Sequence, residues 1–125
     1  MTPLQIQHLA KAWAAAQTAA PDERDWTAVF EVQVLARLNP EALWSFVLEV
    51  LRLSPPESVL GMLAAGPLED LIQDHGAVFV DRVAVEVERS KAFAALLPKV
   101  WVPASADPVT QRFIQLGCDQ VRSTS

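Results

Sequence analysis

Tyrosine is absent from this 125-residue sequence, and cysteine occurs once, at Cys118. A single thiol cannot close an internal disulfide, so the chain does not read as an oxidised secreted scaffold. Long apolar runs are missing too: none approaches the roughly 20 residues that cross a bilayer as a helix. The opening stretch "MTPLQIQHLAKAWAAAQTAAP" lacks the unbroken apolar segment of a secretory signal, because Gln5, Gln7, His8 and Lys11 interrupt it. A cytoplasmic protein with no membrane association is the expectation. Cations are outnumbered, 10 lysines and arginines against 15 aspartates and glutamates, for a formal charge of -5. Nucleic-acid affinity draws on cationic contacts that release counterions, so DNA and RNA are not expected partners. The same sign favours encounter with a basic protein. No glycine-rich phosphate loop, G-x-S-x-G elbow or H-E-x-x-H pair occurs, and no cofactor is expected.

What is present points to helices. Hydrophobic residues make up 51% of the chain, enough for one domain spanning residues 1–125 to bury a core without metal or disulfide. Alanine and leucine abound while strand-forming threonine is scarce, which favours an all-α fold. Nine prolines act as spacers. Thr2-Pro3, Asn39-Pro40, Ser54-Pro55 and Asp107-Pro108 each read as an N-cap followed by a proline in the first turn, where its missing amide costs nothing.

Apolar spacing then places the elements. Ile6, Leu9, Ala10, Trp13 and Ala16 share one face of a helix from Pro3 to about Ala19. In "DWTAVFEVQVLARL", Trp26, Phe30, Val34 and Leu38 recur at i+4, although residues 30–34 also alternate as a strand would; the length and the Asn39-Pro40 stop favour helix. Leu43, Trp44, Val47, Leu48 and Leu51 form a wide stripe over 40–53. A shorter helix over 55–65 is expected to close at Gly66 in a left-handed cap, with Pro67 opening the next. "AVFVDRVAVEVERS" alternates in part, but Phe79, Val80, Val83, Ala84 and Val87 fit a helix. Ser90 can cap a short helix holding Phe93, Leu96 and Leu97, and a last helix runs from Pro108 to about Val121, with 122–125 frayed. Seven or eight short helices suggest either an irregular bundle or stacked helical hairpins, and the lack of a fixed-period repeat favours the bundle.

The stretch "AAGPLEDLIQDHG" concentrates acids and an imidazole. On a helix, Leu68, Leu71, Ile72 and His75 share one side and Glu69, Asp70, Gln73 and Asp74 the other. A histidine ligand wants a carboxylate three or four residues away, and those positions hold Ile72 and Leu71, so a local metal site is disfavoured. Asp70 and Asp74 at i+4 are a weak cation pair on their own. The simpler reading sets Glu69 and Asp70 at the positive end of the helix and His75-Gly76 at its cap. An alternative makes Glu69, Asp70, Asp74 and Asp81 an acidic edge that meets a partner. Cys118 reads as a buried helical thiol and His8 as a surface histidine. Trp13, Trp26 and Trp44 fall on apolar helical faces and read as core. Trp101, in "PKVWVPASADP", either plugs a gap between helices, the simpler role, or anchors a partner.

The block "AAGPLEDLIQDHG", followed by "FVDRV" and "FAALLPKVW" and preceded by "NPEALW", resembles a family of short bacterial proteins known only as a domain of unknown function. The likeness runs over roughly residues 26–113. It implies a helical protein in which Gly66, Pro67, Leu68, Glu69, Asp70, His75, Gly76 and Trp101 match the family motif, and it assigns none of them a catalytic role.

The expectation is a non-catalytic, all-α interaction module, monomeric or homodimeric, with an immunity-like or antitoxin-like inhibitor of a basic protein as one specific form. The alternatives are a small metal-dependent enzyme using Glu69, Asp70, Asp74 and His75, and a homo-oligomeric structural module.

Overall fold

The computed structural model describes residues 1–103 and 105–120. Six α-helices of seven residues or more and one single-turn helix account for most of them, so the fold is all-α, an irregular helical bundle. The end of the last expected helix at Val121 and the expected fraying of 122–125 fall outside the described residues. The contacts gather into two compact units, Met1–Leu63 and Ala64–Ser125.

The first unit holds α1 (Pro3–Thr18), α2 (Trp26–Leu38), α3 (Pro40–Arg52) and α4 (Glu57–Leu63). Thr2 begins α1 with a capping box, its hydroxyl accepting from the Gln5 amide at 3.2 Å while the Gln5 side chain accepts from the Thr2 amide at 2.8 Å. Asn39 serves two helices. Its amide donates to Leu35 O at the end of α2, and its Oδ1 accepts from the Ala42 amide at 3.1 Å to open α3. The valine-rich 26–38 segment is therefore helical, as its length and cap predict.

The core of this unit is the α1 stripe Ile6, Leu9, Ala10, Trp13 and Ala16 against the α3 residues Leu43, Trp44, Phe46, Val47 and Val50, all buried. Trp13 meets Phe46 edge to face, with centroids 5.5 Å apart and planes at 88°. Such a pair adds about 0.5–1.5 kcal/mol beyond the area it buries. Ser54-Pro55 does not start a helix, contrary to the capping expectation. Ser54 takes a left-handed φ of 49° after α3, and Pro55 stands before another proline, which disfavours the helical conformation; α4 begins at Glu57.

The second unit opens with a π-helical turn, Ala64–Leu68, running directly into α5 (Glu69–Arg89). This corrects the reading of Gly66 as a left-handed cap and Pro67 as a helix start. Gly66 does not have a positive φ, and Pro67 lies inside the π turn. A proline in an α-helix collides with the carbonyl four residues back, and the wider π turn accommodates the ring without ending the helix. Glu69 and Asp70 consequently have no cap before them: Leu68 is helical and makes no side-chain cap bond.

His75-Gly76 does not end a helix either. The backbone breaks at His75 (φ -133°, ψ 20°), and Gly76 resumes the helical path to Arg89. After it come the single-turn α6 (Lys91–Ala94) capped by Ser90, a 3-10 turn (Leu97–Lys99), β1 (Trp101–Val102), α7 (Pro108–Leu116) and β2 (Asp119–Gln120). The two short strands pair in parallel, Trp101 opposite Asp119 and Val102 opposite Gln120. Gly117 (φ 131°) stops α7 short of the expected Val121, and the Gly117 and Cys118 amides both bond back to Phe113 O. Leu68, Leu71, Phe79, Val83, Phe93, Leu97, Val100 and Phe113 form the core.

Candidate interaction surfaces

The residues of the expected acidic edge are distributed among separate tasks. Glu69 Oε1 accepts from the Trp101 amide at 2.8 Å, and Gln73 Nε2, one turn further along α5, donates to Trp101 O at 2.9 Å. These side chains pair the edge of β1 that faces away from β2, so both backbone groups of Trp101 are satisfied on a helix surface. With this clamp in place Trp101 is 46% exposed. Trp101 therefore does not plug the core, which corrects the simpler of its two roles; Val100 and Val102 on either side are buried instead.

Asp81 is bound to Arg112 at 2.7 Å, an exposed ion pair between α5 and α7. Such a pair contributes at most about 1 kcal/mol. Of the four carboxylates only Asp70 and Asp74 remain a like-charged pair. Partial burial, and then the Asp74 charge, hold the Asp70 carboxyl above its ordinary value. A raised carboxyl pKa in the folded state penalises folding above that pKa, and the penalty is lifted as pH falls through it. Asp70→Asn is expected to raise the free energy of unfolding at pH 7, read from urea denaturation, by about 0.2–0.5 kcal/mol, the scale for like charges at i+4. The gain should vanish near pH 3.

His75 is half-buried at the break in α5 and lines a cleft of about 610 Å³ with Asp74, Gly76, Val102, Asp107, Thr110 and Phe113. Asp107 is occupied as the cap of α7, accepting from the Thr110 amide at 3.1 Å. Among the described residues no group of three or more His, Cys, Asp or Glu side chains is placed to hold a metal ion. Cys118 lies just beyond α7 rather than on it. It is buried, and that burial, followed by the nearby Glu69 carboxylate, pushes its thiol up to about 12. A thiol so disfavoured as thiolate is a packing group, not a nucleophile. His8 is on the surface.

Sequence spacing misassigned the other exposed feature. The i+4 row on α2 faces away from the core: Trp26 is 48% exposed, Phe30 60%, Val34 51% and Leu38 79%. Trp26 is thus not a core residue. The buried face of α2 consists of Ala28, Val32, Leu35 and Ala36, smaller on average, which lets α2 approach α1 and α3 closely. The signal was in the sequence: α2 is apolar on two faces, and a surface helix packs one apolar stripe against its core, which leaves the second on the outside. Beside the ridge a groove of about 480 Å³ is lined by Met1, Thr27, Phe30, Glu31, Val34 and Leu35. Arg24 lies over the Trp26 ring, 5.3 Å from its centroid.

Among the described residues no helix is long and apolar enough to cross a membrane. No curated protein and no solved structure matches the chain. A family model described as a family of unknown function (DUF6869) matches residues 14–120. The match covers most of the length, including both apolar faces of α2, the π turn, the Glu69–Trp101 clamp and α7, and the chain belongs to that family.

Proposed function

We propose that this protein is a non-catalytic protein–protein interaction module that docks through the outer face of α2. The observation that supports this reading is the ridge of four large apolar side chains, Trp26, Phe30, Val34 and Leu38, about half or more exposed along one helix face. Isolated exposed hydrophobics are ordinary; a contiguous row of them beside a groove marks a binding surface. Tryptophan and arginine together, as Trp26 and Arg24 stand here, are the side chains that most often dominate binding energy. The inhibitor-like form, in which the chain covers a basic protein, draws on the net charge of -5 and on Asp70 and Asp74.

Capture from the native host tests the reading. A tagged wild-type bait and a Val34→Asp bait are compared under identical salt. Val34 is half-exposed, so the variant should fold as the wild type does. A protein retained by wild type and lost by the variant is the expected result. Recovery of the same proteins by both baits, or of none by either, would remove the ridge as a docking surface for a different protein.

A further inference from the structure

We infer that the occupant of the α2 ridge is the α2 ridge of a second copy, packed antiparallel about a two-fold axis between Phe30 and Val34. This rests on the reading of that face as an interaction surface and names what covers it.

Three features of the face point to self-pairing. The first is shape. In a two-fold interface residue i meets j and j meets i. With the axis between positions 30 and 34, Phe30 of each copy lies against Val34 of the other, and Trp26 against Leu38, so each bulky ring meets a smaller aliphatic side chain. Phe30 of one copy then enters the groove that Met1, Val34 and Leu35 line on the other. A row at i+4 is also the ridge used when two helices interlock at about -50°. Parallel pairing would set Trp26 on Trp26 and Phe30 on Phe30.

The second is charge. Asp22, Glu23 and Asp25 precede α2 and Arg37 lies in its last turn, all exposed. Antiparallel pairing brings each Arg37 toward the acidic turn of the other copy and opposes the two helix dipoles. Parallel pairing would gather the acids at one end.

The third is area. Met1 is also about half exposed and lines the groove beside the ridge, giving five large side chains per copy. At roughly 100 Å² of buried surface each, two copies cover about 1,000 Å², the size at which a specific interface begins. Interfaces at this low end of the size range belong to weak, transient complexes, so a dimer that dissociates on dilution is expected.

Sedimentation equilibrium or light scattering on the purified chain decides it, with Phe30→Glu and Leu38→Glu as variants. Both positions are exposed, and circular dichroism checks that each variant is folded. At roughly 100 µM the wild type is expected at twice the 13.7 kDa chain mass, moving toward 13.7 kDa on dilution. Each variant should weaken association by ~30-fold or more. A wild type that stays monomeric overturns the inference, and so does a dimer that both variants leave intact. Neither result touches the capture experiment, which still reports whether a different protein occupies the ridge.

Discussion

Phe46→Ala is expected to lower the free energy of unfolding by about 3–5 kcal/mol, whereas the same substitution at Phe30 should cost under about 1 kcal/mol in the isolated chain. The two residues share a chemistry and differ in what surrounds them. Phe46 is fully buried and takes the edge of Trp13 at 5.5 Å; its removal discards the aromatic pair and leaves a cavity that α1 and α3 can close only in part. Phe30 already has most of its surface in water, so truncation returns little burial. Since small domains are stable by about 5–15 kcal/mol, the Phe46 variant should unfold cooperatively at a much lower urea midpoint or fail to fold. Near-equal losses at the two positions would mean that α2 buries its large face, and the ridge would have no claim as a docking surface.

That contrast also locates what could be read from residues alone. The α1 stripe is buried residue for residue as its spacing requires, because alanines and polar groups leave that helix only one large apolar face. Helix α2 carries apolar residues on two faces, and periodicity has no means of ranking them. Hydrophobicity favours the larger side chains for the interior, but close packing of helices favours the smaller, and Ala28 and Ala36 were the deciding residues. On α3 the same spacing omitted Phe46 and Val50, both buried, because that helix is apolar over more than half its circumference. Gly66-Pro67 failed for a different reason: cap and breaker statistics describe α-helices, and a π turn is a third outcome for a proline that local spacing cannot anticipate. For the acidic stretch, the absence of a histidine–carboxylate pair at helical spacing was legible. The use of Glu69 was not, because its partner, the Trp101 amide, lies 32 residues away in sequence.

Gly76 has a role that depends on another distant residue, and Gly76→Val should be strongly destabilising. A Cβ at this position would lie 2.9 Å from Cε2 of Phe113 and 3.6 Å from Cγ1 of Val109. Phe113 is 1% exposed and cannot swing into solvent, so α7 or the break at His75 must move to admit any side chain. Two effects oppose each other in the smaller change. Alanine improves helix propensity by about 1 kcal/mol over glycine, while overpacking a filled core costs about 1–3 kcal/mol. Gly76→Ala should therefore be neutral to destabilising by about 2 kcal/mol. Valine forfeits most of the propensity gain and adds two methyl groups against the ring, placing its cost at about 3 kcal/mol or more. A double-mutant cycle separates steric clash from any backbone preference: Phe113→Leu should recover part of the Gly76→Ala loss, giving an interaction energy of about 1 kcal/mol. An additive cycle, or an alanine variant more stable than wild type, would show that α5 and α7 do not close on each other at this glycine. The 610 Å³ cleft would then owe its shape to the His75 break alone.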